Sequence, residues 1–264
     1  MKIASWNVNS LNVRLPHLQR WLDEARPDVV ALQETKLEDA RFPDAALAEL
    51  GYRSVFCGQK TYNGVSLVSR LPFVGECITA IPAFDDPQKR VLAATIGGEP
   101  GSPQALRIVD LYVVNGEAVG SEKFEYKLRW LAAVREWLRQ ELEQHPNLVV
   151  LGDFNIAPDD RDVHDPKRWR EKILCSTPER EALGSLLSLG LHDSFRLFNE
   201  DAGHHSWWDY RLAAFQRGWG LRIDLVLVSD ALRGRCTSAG IDLEPRRWER
   251  PSDHTPVWVE IADA

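Results

Sequence analysis

The residues best suited to chemistry stand in a short run in the middle of the chain, which opens with the aliphatic residues 148–151. Gly152 lets the backbone turn, and Asp153 and Asn155 follow two positions apart. In an extended chain residues i and i+2 project to the same side, so a carboxylate and an amide stand together where a buried strand leaves its sheet. Strand exits are common positions for sites in layered α/β proteins. An isolated Asp-x-Asn is equally well explained as an Asx turn that caps the strand.

Further segments repeat this arrangement and favour one shared site over unrelated turns. Asn7, Glu34 and Asp224 each accompany a strand-like run, and Asp253 and His254 stand just before the last one. Several carboxylates without an equal number of nearby lysines form a costly cluster unless a cation lies among them. Oxygen ligands without cysteine indicate Mg²⁺ or Mn²⁺ rather than zinc. The cluster therefore favours metal-assisted hydrolysis of a phosphate ester, with water as the nucleophile.

The elements that must position these side chains follow from the spacing of apolar residues. A helical pattern over Leu11–Ala25 separates strands at residues 3–7 and Val29–Gln33, and such a unit makes the two strands parallel neighbours. Further helices are predicted over residues 42–50, 122–144 and 179–189. Strands separated by turn-forming residues are predicted over 52–57, 65–69, 91–96 and 106–114, which indicates an antiparallel stretch. Two strands over 225–229 and 257–261 follow, and residues 157–176 are predicted to form a long ordered loop.

The domain organisation is predicted to be a single domain over residues 1–264. No low-complexity linker divides the chain, and its two halves look loosely alike, each running from a strand with a polar exit through helices and strands. Two sheets packed face to face, with helices on both outer faces, would bury such strands. Most of the 10 tryptophans are predicted to pack in the core, whereas His204 and His205 are predicted at the surface.

Composition is that of an ordinary globular protein, with 44% hydrophobic and 27% charged residues. No apolar run approaches the length of a membrane span and no signal-peptide pattern opens the chain, so no membrane partner is expected. The 4 cysteines lie far apart without a C-x-x-C pair. That spacing predicts reduced thiols in a cytoplasmic protein, not a disulfide framework or a zinc site.

The net charge of −7 argues, taken alone, against a nucleic-acid partner. A bound divalent cation would neutralise part of the carboxylate cluster, so local basic groups are more informative than the sum. Basic stretches occur at residues 167–172 and 246–250. Because such stretches more often form a solvated face, neither carries an argument for DNA by itself.

Five short motifs occur along the chain in order: Trp-Asn at 6–7, Leu-Gln-Glu-Thr-Lys at 32–36, Gly-Asp-Phe-Asn-Ile-Ala-Pro at 152–158, Gly-Leu-Arg-Ile-Asp at 220–224 and Pro-Ser-Asp-His-Thr-Pro-Val at 251–257. Together they resemble the exodeoxyribonuclease III family, bacterial AP (abasic-site) endonucleases within the endonuclease/exonuclease/phosphatase superfamily. The resemblance runs essentially from end to end. It implies a four-layer α/β sandwich, in which two mixed β-sheets pack face to face with helices on the outer faces.

The resemblance also implies a role for each polar group. The implied ligands of Mg²⁺ or Mn²⁺ are Asn7, Glu34, Asp153, Asn155, Asp253 and His254. The implied catalytic groups are Tyr112, Asp153, Asn155, Asp224 and His254. The implied DNA-contacting and abasic-pocket residues are Asn115, Trp207, Leu221 and Ile223. In this scheme Asp153 positions or deprotonates the attacking water, while Asp224 orients His254 toward the scissile phosphate.

The function that the resemblance implies is that of a monomeric DNA-repair nuclease. It would cut 5′ to abasic sites in double-stranded DNA and would trim or clean damaged or recessed 3′ ends. An alternative keeps the fold but acts on a small phosphoester such as an inositol phosphate; residues 206–210 and 220–224 resemble the DNA-directed branch instead. A non-catalytic binding protein would be expected to have lost some of the polar residues, and none is missing.

Overall fold

Two β-sheets form the centre of the computed structural model, which describes residues 1–99, 102 and 104–262. From edge to edge, the first sheet contains β11 (Cys236–Ile241), β12 (Val257–Ile261), β1 (Lys2–Asn7), β2 (Val29–Gln33), β4 (Val65–Ser69) and β3 (Arg53–Cys57). The second contains β5 (Phe73–Ile78), β6 (Val91–Ile96), β7 (Leu106–Tyr112), β8 (Leu148–Asp153), β10 (Asp224–Ser229) and β9 (Leu191–Asp193). Both sheets are mixed, because β1–β2 and β7–β8 are parallel pairs and the other pairs are antiparallel.

Six α-helices accompany these strands within the described residues: α1 (Leu11–Ala25), α2 (Asp44–Ala48), α3 (Glu122–Gln144), α4 (Pro166–Trp169), α5 (Thr177–Leu187) and α6 (Asp230–Arg233). The longest helix, α3, begins after Ser121, whose hydroxyl accepts a hydrogen bond from the Phe124 N–H and so satisfies a free donor of the first turn. At the start of α5 the reverse contact is made, because the side chain of Glu179, in the first turn, accepts from the N–H of the capping residue Ser176. No helix in the described ranges has the length and apolar character needed to cross a membrane.

The layers follow from the alternation of side chains along the strands. In β8, Val149 and Leu151 point into the apolar cluster between the sheets, while Leu148 and Val150 pack with α3 and α5. On the opposite face of the molecule, Trp21 of α1 contacts the first sheet through an edge-to-face pair with Trp6. The order is therefore helix, sheet, sheet, helix, and the predicted four-layer α/β sandwich is confirmed.

The strands that carry polar residues end or begin at the same open edge of the sandwich, which is the side formed by strand ends and not the side formed by an edge strand. The parallel pairs β1–β2 and β7–β8 both end there, since parallel strands bring their carboxyl ends together. The strand β10 runs antiparallel to β8 and starts with Asp224 opposite Asp153. Likewise β12 runs antiparallel to β1 and places Val257 opposite Ser5. Residues just before β12 therefore reach the same edge.

Several local expectations need correction. The strands between residues 52 and 114 do not form one antiparallel stretch, because β3 and β4 belong to the first sheet whereas β5, β6 and β7 belong to the second. Strands β5, β9 and β11 were not predicted, because all three are edge strands without a run of buried positions and β9 is only three residues long. His205 was wrongly placed at the surface: it is 7% exposed and contacts the Trp208 ring edge-on.

Candidate active site

Two carboxylates and an imidazole converge where the two sheets meet at this edge. Glu34, Asp153 and His254 each direct a ligand atom into a space in which these atoms lie within 4.8 Å of one another. Asn7 links the sheets, since its Nδ2 donates to Glu34 Oε1 at 2.9 Å and to Asp153 Oδ2 at 3.0 Å. Both acids are thereby held side by side by a neutral donor, which leaves their charge available to a cation.

The backbone at the strand exits adopts positive φ values at three residues of the site or next to it. Glu34 and Asn155 have φ values of 53° and 50°, in the left-handed region that non-glycine residues seldom adopt. Gly152 has a φ of 142°, and a Cβ there would come within 1.9 Å of the Leu111 carbonyl oxygen. Glycine is therefore required before Asp153, because β7 passes too close for any side chain. Strain of this kind often accompanies functional sites.

His254 is held on its far side by Asp224. Its Nδ1 lies 2.9 Å from Asp224 Oδ2, and the same carboxylate oxygen accepts from the Ser206 hydroxyl at 2.6 Å. Burial opposes a charge on His254, but the carboxylates of Asp224 and Asp153 outweigh that effect and raise the pKa of His254 to about 10. The imidazole is thus protonated near neutral pH, and its Nε2–H faces Asp153.

The two acids of the group differ in their protonation. Burial, reinforced by the charge of Asp224, raises the pKa of Asp153 to about 7. Glu34 is partly buried, which opposes its charge, yet Lys36 lowers the pKa of Glu34 below its ordinary value because the ammonium lies 2.8 Å from the carboxylate. A cation near the pair would favour the ionised form of Asp153. Two carboxylates held side by side form an oxygen donor set that fits a divalent cation, whereas a protonated His254 has no lone pair to offer one.

Tyr112 enters the site from the end of β7. Its hydroxyl donates to Glu34 Oε1 at 2.9 Å. Burial and the nearby Glu34 carboxylate raise the pKa of Tyr112, so the phenol keeps its proton and remains a donor. Arg90 stacks over the Tyr112 ring at 4.6 Å and donates to its backbone carbonyl.

Two amide side chains follow Asp153 in series, because Asn155 contacts Asp153 and Asn115 contacts Asn155. Asn115 Nδ2 donates to Asn155 Oδ1 at 3.0 Å. Asn155 Nδ2 in turn donates to the Val113 carbonyl at 3.0 Å and faces Asp153 Oδ2 at 3.3 Å. Asn155 therefore presents N–H groups to the carboxylate, and Asn7 does the same. The metal-binding roles of these two amides stay predictions.

The remaining predicted residues lie to the side of His254. Asp253 accepts from Trp207 Nε1 at 3.0 Å and from Asn9 Nδ2 at 2.9 Å, and it is not among the three residues whose ligand atoms converge. The half-buried Trp207 ring lies 6.5 Å from the His254 ring. Leu221 and Ile223 are 0% and 1% exposed, in an apolar cluster behind Trp207. Their role as pocket walls stays a prediction.

A groove of about 470 Å³ opens beside Glu34 and Tyr112. Its lining includes the basic residues Lys36, Arg90 and Lys123. Sequence reasoning missed these contributors, along with Ser206 as a partner of Asp224, because they come from separate segments, Lys123 from the first turn of α3 and the others from loops. Lys36 alone carried a signal, since it closes the motif at 32–36.

Comparison with known proteins agrees with this geometry. Residues 4–254 match the Endonuclease/Exonuclease/phosphatase family, and the chain belongs to that family. It is 37% identical to an exodeoxyribonuclease III of Haemophilus influenzae over 271 residues, covering 99% of this chain and 100% of the relative. The family prediction is therefore confirmed.

Solved structures extend the similarity to the whole fold. A 3′ phosphatase from Neisseria, named NExo and solved with a product DNA hairpin, is 50% identical with a TM-score of 0.95. An AP endonuclease from Archaeoglobus fulgidus is 33% identical with a TM-score of 0.92. Each alignment covers 99% of both chains.

Proposed function

We propose that this chain hydrolyses phosphodiester bonds of duplex DNA with Mg²⁺ or Mn²⁺, cutting 5′ to abasic sites and removing nucleotides or phosphate from 3′ ends. The observation that carries the proposal is the convergence of partly buried Glu34 with buried Asp153 and His254 beside a groove with basic residues. The broader class follows from family membership and from full-length relatives named as DNA nucleases. The prediction of a DNA-repair nuclease is in that sense confirmed.

The residues of the site suit this hydrolysis. Asp153, with a pKa raised to about 7, can accept the proton of the attacking water near neutral pH. Protonated His254 and the Tyr112 hydroxyl can donate to the phosphate as negative charge develops on it. Glu34 and Asp153 would hold a divalent ion, which would supply Lewis acidity for the phosphate. Asp224 stabilises the imidazolium and fixes its orientation.

The substrate side of the proposal rests on charge at the groove rather than on net charge. Lys36, Arg90 and Lys123 line the groove next to the carboxylates and suit a run of phosphates. The proposed role of stretch 246–250 needs one correction, because Arg246 is only 6% exposed. It donates to the Ser252 carbonyl and lies 4.9 Å from the Phe215 ring, so it cannot face DNA. The exposed residues of this stretch and of 167–172 remain candidates.

We further propose that residues 1–264 act as a single domain and as a monomer in the cytoplasm. The interleaved strand order supports one domain, because β11 and β12 from the end of the chain complete the sheet that contains β1 and β2. All four cysteines, which lie within the described ranges, are free. That finding agrees with a reducing compartment.

The test of the function compares four substrates. Three are otherwise identical duplexes with an internal abasic analogue, a recessed 3′ end or a 3′-phosphate, and the fourth is an inositol phosphate. Each is incubated with Mg²⁺ and with EDTA. Cleavage of the duplexes with Mg²⁺ and not with EDTA is expected. Hydrolysis of the inositol phosphate with all duplexes left intact would support the small-phosphoester alternative.

Divalent cation is expected to stabilise the fold, and more so at higher pH. The pKa of Asp153 is about 7 in the folded protein and lies above its value in the unfolded chain. The buried acid therefore lowers the free energy of unfolding progressively as the pH rises from the unfolded pKa through the folded pKa. A cation offsets this cost only where the carboxylate is ionised. At about 100 times its dissociation constant the ion adds roughly 2.7 kcal/mol, or about 5–10 °C in melting temperature. The increment should shrink between about pH 8 and pH 6.

The check for cation binding is thermal melting with Mg²⁺ and with EDTA at both pH values. Glu34→Gln should lose most of the increment and recover part of it at higher Mg²⁺. Glu38→Gln, the same change at an exposed position four residues later, should keep it. An equal increment in both variants would remove Glu34 from the cation site.

Trp207→Ala is expected to lower abasic-site incision more than 3′-end trimming. A sugar without its base is small and swings out of the helix at lower cost than a paired nucleotide, and Trp207 lies next to His254 where such a sugar would enter. Both activities are measured on matched duplexes after melting confirms folding. Trp219→Ala removes another half-buried tryptophan, one stacked on His164, as the control. Equal losses on both substrates would make Trp207 purely structural.

A further inference from the structure

A buried ion pair lies directly beneath the two amide side chains of the site. Lys127 of α3 and Glu179 of α5 form this pair, and the side chains of both are 0% exposed. The Lys127 ammonium also donates to the backbone carbonyl of Asn155 at 2.7 Å and to that of Asn115 at 3.2 Å. An ammonium has three N–H donors, so these three acceptors use all of them. Neither residue was singled out in the sequence.

The carboxylate of the pair also accepts several hydrogen bonds besides the one from Lys127. Glu179 accepts from the backbone N–H groups of Leu174 and Ser176, each at 3.1 Å, and from the Ser176 hydroxyl at 2.6 Å. Leu174 belongs to the apolar cluster behind Trp207. The pair therefore connects the loops that carry Asn115 and Asn155 with the segment behind the proposed pocket.

The loops above Lys127 need such an anchor. Asn155 is in the left-handed region, a conformation that costs free energy and persists only where surrounding contacts hold it. Gly116, with a φ of 91°, passes so close that a Cβ would come within 3.1 Å of Lys127 Cδ. The ammonium thus fixes two carbonyls whose own side-chain amides meet above it.

We propose that Lys127 and Glu179 form a positioning pair, which sets the backbone under Asn115 and Asn155. The Asn115 amide then holds the Asn155 amide, and Asn155 is thereby aimed at Asp153 and the reacting phosphate. This inference rests on the proposed function for its kinetic consequence, although the positioning itself is a property of the free protein. An apolar pair of similar volume often stabilises a fold as well as a buried ion pair does. It would not, however, hold two carbonyls in place.

The chain offers a matched control on the same helix. Arg107 of β7 and Glu141 of α3 form a second buried ion pair, with side chains 5% and 8% exposed. Arg107 also faces Thr95 and the Glu76 carbonyl, and it contacts no residue of the site. Glu179→Gln and Glu141→Gln are therefore the same change in two comparable surroundings, of which only one lies beneath the amides.

The experiment combines kinetics with a spectroscopic measurement. The variants are Glu179→Gln, Glu141→Gln and the double variant Lys127→Met/Glu179→Leu, which removes both buried charges and so keeps a folded protein available. Each is checked by thermal melting. Turnover and KM are measured on a recessed 3′ duplex, and the side-chain amide ¹H–¹⁵N resonances of Asn115 and Asn155 are recorded in the free protein. Assignment uses Asn115→Asp and Asn155→Asp.

In Glu179→Gln and the double variant, kcat should fall about 10- to 100-fold with KM nearly unchanged, since small misplacements of positioning groups have effects of this size. Both amide resonances should shift in these variants and stay fixed in Glu141→Gln. A folded double variant with kcat within about twofold of wild type, or with both resonances unmoved, overturns the proposal. If the wild type cleaves no duplex, the proposed function fails instead, and the amide resonances alone decide the positioning.

Discussion

Asp153→Asn is expected to cleave duplex DNA at least about 100-fold more slowly than the wild type, the usual scale for a lost acid–base group. The change keeps the shape of the side chain but removes both its proton-accepting oxygen and its charge. Asp153 is 1% exposed and lies between Asn7, Asn155 and His254. The neighbouring acids have other partners, Glu34 with Lys36 and Asp224 with His254. DNA affinity should change far less, because the groove residues are untouched.

The measurement for Asp153 is single-turnover cleavage of a recessed 3′ duplex, with affinity determined separately. The wild-type rate should rise with pH toward about 7, because a base must be deprotonated to act, and its midpoint should fall as Mg²⁺ is raised. Asp242→Asn serves as control: this acid accepts from Trp21 Nε1 away from the site. A rate for Asp153→Asn within about tenfold of the control would refute the assigned role.

The sequence predicted the location of the site because strand exits obey a simple geometric rule. Asn7 ends β1, and Asp153 ends β8. Each of these strands has a parallel neighbour, so carboxyl ends gather at one edge once the two sheets stack. The hydrogen bond between Asn7 and Asp153 is the direct result. Strand-exit positions together with the family motifs placed these two residues, 146 positions apart, in one predicted cluster.

What the sequence did not predict depends on how loops and helices pack against that edge. Ser206 reaches Asp224 only because the chain near 206 pairs with Leu221, and no local pattern marks that contact. Lys127 reads as one more charged position on an amphipathic helix, although it is fully buried. Arg246 gave the opposite error, because it was predicted as a DNA contact and is buried. A basic cluster in the sequence does not reveal which guanidinium is covered by aromatic rings. Burial of charge is decided by tertiary contacts.

The His254→Ala variant is expected to lose about 100-fold or more in cleavage rate, because it removes the protonated imidazole that we propose as a donor to the phosphate. Asp224→Asn should cost part of the same interaction, since Asp224 acts through His254. The double variant should therefore be no slower than His254→Ala alone, the result expected of groups that act as a unit. Losses that simply multiplied would show that Asp224 has a separate role.

The stability of His254→Ala relative to the wild type is also expected to depend on pH, and the pKa of His254 determines the direction of that dependence. That pKa is raised to about 10 in the folded state, so the protonated imidazole contributes stability that is fully present below the unfolded pKa and is lost as pH rises through the folded value. Thermal melting should show His254→Ala destabilised most near pH 6 and progressively less toward about pH 10. His192→Ala removes a similar contact, 2.6 Å from Asp230, at a surface position. Because water screens that pair, its loss should be small in melting and in cleavage. A destabilisation of His254→Ala that did not change with pH would mean that the buried imidazole is neutral, and the phosphate would then need another cationic partner.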